Sequence, residues 1–286
     1  MTATLKLPII DLSSPDRNST AKTIRQACIE YGFFYLVNHG VEKELIGKVF
    51  DESRKFFSLH VEKKMELDHK EHRGYTAMYA ESPDPASSSR GDSKESFYIG
   101  PIGDSTNSDL NQWPSKEILP NWRSTVESFY RKAFLSRCWK TASVSNCPVT
   151  ELGRRFLEKV GGLVKPTAFV RLLHYPGDIG SYGLQICKEK FKQPQVWEDL
   201  PHVEGAFIIN MGDMMERWTN CLYRSTLHRV LPAGKERYSA ALFLNPDPDC
   251  VVECLKSCCN ESSPPRFPPV RSGDYLGERL KATFAS

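Results

Sequence analysis

GAFIINMGDMMERWTNCLYRSTLHRVLPAGKERYSAALFLNP, residues 205–246, is the stretch that decides the fold of this chain. Two short apolar runs within it, Ala206–Ile209 and Ala240–Leu244, are bounded by turn residues and are therefore predicted as buried strands. His228 lies between the two runs, and Arg237-Tyr-Ser239 begins nine residues after it. The candidate functional residues of this stretch thus lie on, or next to, predicted strands.

These polar residues suggest a metal ligand and a carboxylate-binding pair. Neutral imidazole is a common ligand of iron and other first-row metals, so His228 is a candidate metal ligand. The alternative is a hydrogen-bonded histidine of the core, and spacing alone leaves both interpretations open. Arg237 and Ser239 are two residues apart, which places both side chains on one face of a strand, where they can bind a carboxylate together.

Length and composition describe a globular protein of one large domain or two small ones. The chain has 286 residues, and its apolar and charged fractions are ordinary for that class. The net charge of +3 is small and the basic residues are scattered, which argues against nucleic-acid binding. No apolar run approaches the ~18 residues of a membrane span, and the N-terminus lacks the apolar region of a signal peptide. We therefore expect a cytoplasmic protein that binds neither nucleic acid nor membrane.

The nine cysteines are predicted to be reduced thiols, because no secretory signal accompanies their odd number. Cys254, Cys258 and Cys259 are close enough in sequence to suggest a zinc site. However, they lack a second CxxC-type half or a nearby histidine, which argues against zinc.

The N-terminal part alternates predicted strands and helices. Residues 5–12 and 32–40 are apolar and predict two strands. The helix between them would be capped by Ser19 or Thr20 and ended by the glycine that begins the second strand. A second amphipathic helix is predicted from residue 41 to about residue 59.

After residue 60 the predicted elements are a strand, a helix and then a β-rich region. Residues 92–99 predict a strand and 121–135 a helix, and short apolar runs separated by turn residues make 165–246 β-rich. His39 lies in the turn after the second strand and is predicted to hydrogen-bond the backbone rather than bind a metal.

Taken together, these segments resemble the plant-type 2-oxoglutarate/Fe(II)-dependent dioxygenases, the isopenicillin-N-synthase-like family. The resemblance covers nearly the whole chain and is much more specific than any single motif. The matching segments are NMGDMMERWTN (210–220), STLHRV (225–230), RYS (237–239), PIIDLS (8–13), YGFFYLVNHG (31–40), DSKESFYIG (92–100) and PPVRSGDYLGERL (268–280).

The resemblance implies an α+β fold with a double-stranded β-helix core, similar to a jelly roll and flanked by N-terminal helices. Residues 1–120 would be the N-terminal family segment, 121–160 a helical connector, and 161–286 the core with its C-terminal tail. The implied reaction oxidises a small organic substrate with Fe(II) while 2-oxoglutarate is decarboxylated to succinate.

The same resemblance assigns roles to residues at the implied site. His228 would be the distal iron ligand. Arg237 and Ser239 would bind the far carboxylate of 2-oxoglutarate, and Tyr175 would donate a hydrogen bond to the same molecule.

Two stretches depart from the family pattern. Residues 136–155 replace an apolar helical segment with a polar one that contains Pro148, which forbids an uninterrupted helix. Residues 163–178 and 183–190 match two family strands, yet only Ile179–Tyr182 joins them. Intact members hold two further strands and an H-x-D motif there, so roughly 20–35 residues are predicted to be missing.

Loss of this segment would remove two of the three iron ligands and truncate the core. A facial triad needs two histidines and a carboxylate, so we expect Fe(II) and 2-oxoglutarate to be weakly bound and no complete catalytic set to remain. His202 and Glu204 have the H-x-E form and could substitute, but their surroundings match a family loop. His174 and Asp178 are a second possibility, although alternation places His174 and Tyr175 on opposite faces of the strand.

These observations predict two alternative functions. The chain is either an oxygenase of small metabolites with impaired activity, or a catalytically silent isoform with a binding or regulatory role. In both cases, missing strands would expose sheet edges and apolar faces, which lowers stability or promotes association. The organic substrate and the oligomeric state are not predicted.

Overall fold

Strands from both ends of the chain share the same sheets in the computed structural model of this protein. The structure describes residues 5–81, 92–103, 110–135, 167–177, 183–231 and 234–284. The two predicted departures, 136–155 and 179–182, lie outside the described residues, as does Asp178.

The described part of residues 5–135 contains four strands and four helices. In chain order these are β1 (Ile9–Asp11), α1 (Arg17–Glu30), β2 (Phe33–Val37), α2 (Lys43–Phe57), α3 (Val61–Met65), β3 (Gly74–Thr76), β4 (Glu95–Ile99) and α4 (Trp122–Leu135).

Strands predominate over helices between residues 167 and 246, as the apolar pattern of 165–246 predicts, and a helix ends the described part of the chain. The described elements of residues 167–284 are β5 (Thr167–Tyr175), β6 (Leu184–Cys187), β7 (Glu198–Asp199), β8 (Phe207–Asn210), α5 (Asp213–Trp218), β9 (Leu227–Val230), β10 (Arg237–Asn245), β11 (Val251–Val252), a 3₁₀ helix (Lys256–Cys258), β12 (Val270–Arg271) and α6 (Ser272–Phe284).

Three sheets position the candidate site. The main sheet has the order β10-β5-β4-β3 and is antiparallel throughout. The minor sheet has the order β7-β6-β9, and the N-terminal sheet has the order β1-β2-β8. Strands β11 and β12 form a separate antiparallel pair.

Alternation along β5 gives the main sheet two chemically different faces. The back face presents Val170 and Leu172 to a core that also contains Phe56 of α2 and Trp122 of α4. The front face carries Tyr175 and, on the neighbouring strand, the two polar residues predicted to bind a carboxylate. The apolar core therefore lies behind the candidate site and supports it.

The first helix begins earlier than predicted. Asp16, not Ser19 or Thr20, is its N-cap, because the Asp16 carboxylate accepts a hydrogen bond from the Ser19 backbone nitrogen at 2.9 Å. The Thr20 hydroxyl instead donates to the Asp16 carbonyl. The predicted end of the helix is confirmed: Gly32 has a φ of +67°, and a Cβ there would lie 2.2 Å from the Arg224 carbonyl oxygen.

Three strands, β8, β9 and β10, lie at the ends of their sheets with one edge unpaired by any described strand. Each of them also exposes apolar side chains. Ile208 on β8, Leu227 on β9 and Phe243 on β10 are 39%, 41% and 47% exposed. Among the described helices, none has the length and apolar character needed to cross a membrane.

Candidate functional site

Arg237 and Tyr175 lie directly opposite each other on β10 and β5. The guanidinium carbon of Arg237 is 4.1 Å from the centroid of the Tyr175 ring, which packs against the cation. Ser239 pairs with Leu173 one step further along the same face. The strand pairing therefore brings together the three residues that the sequence predicts to bind 2-oxoglutarate.

Arg237 is half-buried, and two of its guanidinium nitrogens are buried without an acceptor among the described residues. Its Nε and Nη2 atoms are inaccessible and have no hydrogen-bond partner in the part of the chain that the structure describes. An unsatisfied buried donor is costly, and a carboxylate matches the planar fork of a guanidinium in both charge and geometry. The residues present thus fit the carboxylate of 2-oxoglutarate.

His174 faces away from this site, as alternation along the strand predicts. Its Nδ1 lies 2.7 Å from the Glu95 carboxylate, and its Nε2 lies 2.9 Å from the Glu236 carboxylate. The ring also stacks on Tyr238, with centroids 4.7 Å apart. Because both ring nitrogens contact carboxylates on the back face, His174 does not substitute for an iron ligand.

Glu95 is the centre of the polar network behind the site. It also accepts hydrogen bonds from Lys64 Nζ at 2.7 Å and from the Tyr75 hydroxyl at 2.5 Å. Burial raises the pKa of Glu95, but the hydrogen bonds from His174, Lys64 and Tyr75 outweigh it and hold that pKa below its usual value. The network therefore keeps an ionised carboxylate on the back face of the sheet, on the strand next to that of Tyr175 and two strands from that of Arg237.

A buried ion pair on the front face was not foreseen from the sequence. Arg171, four residues before Tyr175, donates to both carboxylate oxygens of Glu81 and stacks over the ring of Tyr98 at 4.6 Å. Lys94 contacts the same carboxylate at 3.1 Å. Alternation along β5 places Arg171 on this face, but its partner Glu81 is 90 residues away in sequence. A local pattern therefore does not reveal the pair.

His228 lies on β9 of the minor sheet, opposite Ile186, and its side chain is exposed. Its Nδ1 is 3.1 Å from the Thr226 carbonyl oxygen, which can only accept a hydrogen bond. Nδ1 therefore carries the proton, and Nε2 presents its lone pair in the tautomer that binds metals. The imidazole is chemically suited to a metal, but it is open to solvent.

His228 does not belong to a three-ligand metal site among the described residues. All seven histidines are described, and no group of three or more His, Cys, Asp or Glu residues in the described part could hold a metal ion. His202 and Glu204, considered as replacements for the missing iron ligands, do not form such a group with His228. His202 is exposed, and Glu204 is paired with Lys43 at 2.5 Å. The described residues thus do not fit the two-histidine, one-carboxylate site of iron.

His39 has the structural role that its turn position predicts. The ring stacks on Phe207 with centroids 3.7 Å apart, Nε2 lies 3.1 Å from the Gly205 carbonyl, and Nδ1 accepts from the Val41 backbone nitrogen. His69 and His72 lie in a charged stretch of sequence, but both are half-buried. Burial lowers the pKa of each of these two rings.

Family models match both parts of the chain. Residues 7–116 match the N-terminal model described as non-haem dioxygenase in morphine synthesis, and residues 169–246 match the 2OG-Fe(II) oxygenase superfamily.

Two plant enzymes are similar over almost the full chain. Kihadalactone A synthase from Citrus sinensis is 36% identical over 98% of this chain and 92% of its own length. Azadirone synthase from Melia azedarach is 34% identical over 98% of this chain and 93% of its own length. The first alignment extends over 318 positions, more than the 286 residues of this chain, so it includes positions that have no counterpart here.

Solved structures show the same similarity. A full-length Neurospora crassa protein in complex with alpha-KG superposes with a TM-score of 0.80 at 27% identity, covering 99% of this chain and 98% of the Neurospora chain. A 2OG-Fe(II) oxygenase family protein from Caulobacter crescentus also superposes with a TM-score of 0.80, at 23% identity over 97% of this chain and 99% of its own.

Proposed function

Because this chain belongs to the 2-oxoglutarate/Fe(II)-dependent oxygenase family and has its double-stranded β-helix fold, we propose that it is an oxygenase with an impaired metal site. The family acts on small metabolites and uses Fe(II) and 2-oxoglutarate. In this proposal, the chain retains the 2-oxoglutarate pocket but binds iron through His228 alone.

The buried guanidinium of Arg237 is the observation that carries this proposal. Its two unpartnered nitrogens would donate to one carboxylate of 2-oxoglutarate in a bidentate contact. The Ser239 and Tyr175 hydroxyls would donate to the same molecule from the same face of the sheet. Family members use the iron, when it is bound, to activate oxygen; the residues of this chain contribute orientation of the cosubstrate.

Three observations support an incomplete metal site. His228 has no companion ligand set among the described residues. The side chain of His228 is exposed on a strand whose outer edge no described strand pairs. The alignment with the Citrus enzyme is longer than this chain. All three agree with loss of the segment that would carry the H-x-D motif and cover this side of the core.

The same observations favour a second candidate function. A chain that keeps its carboxylate site but cannot hold iron would be a catalytically silent isoform that binds 2-oxoglutarate or a related dicarboxylate in a regulatory role. Arg237 is common to both functions, and turnover distinguishes them. A cytoplasmic location remains a prediction in either case.

Anaerobic titration of 2-oxoglutarate, followed by calorimetry, tests the carboxylate site. We expect measurable binding without iron, and loss of that binding in Arg237→Leu. Arg131→Leu, at an exposed position of α4, is the matched control for removing one positive charge. Absence of binding to the unmodified chain would disprove the assignment of Arg237.

Addition of Fe(II) and then oxygen tests the metal site. We expect no strong visible charge-transfer band of an iron–2-oxoglutarate complex, and succinate release close to that of His228→Ala. A small release above this control favours the impaired oxygenase, and equality favours the silent isoform. A full band with sustained succinate production would overturn the proposal of an incomplete site.

A further inference from the structure

Three cysteines outside the strands of the proposed site lie close together in residues 254–259. Cys254 precedes the 3₁₀ helix Lys256–Cys258, Cys258 ends it, and Cys259 follows it. All three are free thiols and are half-buried, whereas Cys28, Cys187 and Cys250 are buried. Small reagents can therefore reach this group more readily than the three thiols of the core.

Two of these thiols converge on one backbone oxygen. The Leu255 carbonyl lies 3.5 Å from Cys254 Sγ and 3.3 Å from Cys259 Sγ, and both thiols donate to it. The Cys258 sulfur instead lies 3.9 Å from the Ser257 hydroxyl. The chain fold thus pairs Cys254 with Cys259 and directs the vicinal Cys258 elsewhere.

We propose that Cys254 and Cys259 form a dithiol modification site, which a hydroperoxide converts reversibly to an intramolecular disulfide. The site is independent of the proposed oxygenase function, because none of its residues lies on β5, β9 or β10. It also differs from the zinc site considered from the sequence, since no metal-binding group of three ligands occurs among the described residues.

The chemistry proceeds in two balanced steps. A Cys259 thiolate attacks the terminal peroxide oxygen, so that an S–O bond forms and the O–O bond breaks. The leaving hydroxide takes a proton to become water, or, from an alkyl hydroperoxide, the leaving alkoxide takes a proton to become an alcohol. The Cys254 sulfur then attacks the sulfenic acid: the S–S bond forms, the S–O bond breaks, and water leaves with the second oxygen. Two electrons pass from the sulfurs to the peroxide.

The order of the steps follows from the environment of Cys254. Burial, together with the hydrogen bond and charge of Cys259, raises the pKa of Cys254 to about 11, so that this group remains a thiol at neutral pH. A thiol reacts slowly with a peroxide, so Cys254 does not react first. It is, however, close to Cys259, whose sulfenic acid it attacks in the second step.

The disulfide would close a turn that is fastened to the end of α5. The Leu255 backbone nitrogen donates to the Trp218 carbonyl at 2.9 Å, and the Asn220 side chain donates to the Cys258 carbonyl at 3.2 Å. Oxidation would therefore close the turn of residues 254–259 covalently where it is hydrogen-bonded to the end of α5, and reduction would open that loop again.

Peptide mapping of the full chain tests the proposal directly. Trypsin cleaves after Lys256, so Cys254 and Cys259 fall in two different peptides, and a disulfide between them joins the peptides. The chain is treated with hydrogen peroxide, the remaining thiols are alkylated, and the digest is analysed by mass spectrometry before and after reduction. Cys258→Ser is the matched control, because it removes a thiol from the same turn.

We expect the unmodified chain and Cys258→Ser to lose two hydrogen atoms per molecule and to yield the joined peptides, which separate on reduction. Cys254→Ser and Cys259→Ser should yield none. A linkage through Cys258, disulfides only between molecules, or oxidation of single thiols without linkage would each disprove the site. The joined peptides also contain Cys250 and Cys258, so fragmentation of the joined peptides locates the disulfide in the unmodified chain. This measurement decides the matter even if a variant fails to fold.

Discussion

Two arginines on the front face of the main sheet differ in how their charge is compensated. Arg171 is paired with the buried carboxylate of Glu81, whereas Arg237 has two buried nitrogens without acceptors among the described residues. Desolvation destabilises both guanidinium groups, but a carboxylate within the protein offsets this effect only for Arg171. The two unsatisfied donors of Arg237 therefore lower the stability of the chain, and they are the groups that we propose to bind a carboxylate.

Substitution of the two arginines by leucine should have opposite effects on stability. Arg237→Leu removes unsatisfied donors, so the free energy of unfolding should stay equal or rise by about 1–2 kcal/mol. Arg171→Leu leaves the Glu81 charge buried with less compensation and should lower the free energy of unfolding by about 3 kcal/mol. Urea unfolding at neutral pH measures both; a large loss of stability in Arg237→Leu would show that an internal partner holds this arginine.

At the scale of elements, the Glu95 network joins four of them. Glu95 on β4 accepts hydrogen bonds from Lys64 on α3, from Tyr75 on β3 and from His174 on β5. The network lies behind the residues that we propose to bind 2-oxoglutarate, and it joins β5 to β4 at that level of the sheet. The contribution of this network to the free energy of unfolding depends on the ionised carboxylate of Glu95.

The pKa of Glu95 predicts how stability depends on pH. The folded-state pKa lies below the ordinary value of 4.5, so the unfolded chain binds the proton more tightly. The stabilisation is therefore complete above pH 4.5 and is lost as the pH falls through the folded-state pKa. Glu81 and Asp213, whose pKa values are also lowered, act in the same direction.

Glu95→Gln should lower stability at neutral pH and flatten the acid dependence of the urea midpoint between about pH 5 and pH 3. The exposed Glu66→Gln is the matched control, because Glu66 pairs only with an exposed lysine at the surface. If Glu95→Gln and the unmodified chain gave parallel curves, the lowered pKa of Glu95 would not be the cause.

At the scale of the whole molecule, three sheets each have a strand edge that no described strand pairs, and these edges bear on association between chains. Strands β8, β9 and β10 each present an outer edge without a described partner, together with exposed apolar side chains. Exposed edges with apolar faces are templates for pairing with another chain. The exposed outer edge of β9, the strand that carries His228, is therefore predicted to promote association, as are the edges of β8 and β10.

We expect concentration-dependent association in sedimentation velocity, with a mass above the 32.5 kDa of one chain. Leu227→Lys and Phe243→Lys place charges on the open strands and should shift the distribution toward monomer. Phe191→Lys, at an 89% exposed position outside the strands, is the control and should have little effect. A strictly monomeric chain with a cooperative thermal transition would contradict this prediction.

The sequence by itself determined the features that depend on local pattern. Apolar periodicity located α1, α2, α4, β1, β2, β4, β8 and β10. Alternation placed Arg237 with Ser239 and separated His174 from Tyr175. Family resemblance supplied the expected fold and site roles. These inferences need only neighbouring residues or a match of motifs, so they can be made before the chain is folded.

Tertiary structure alone decided which charges are buried and with which partners. Lys64 lies in a run of charged residues, yet its ammonium is buried against Glu95, 31 residues away in sequence. The Glu81–Arg171 pair spans 90 residues, and the lack of described acceptors for Arg237 is visible only in three dimensions. Burial and electrostatic pairing depend on contacts between distant segments, which a local sequence pattern does not contain.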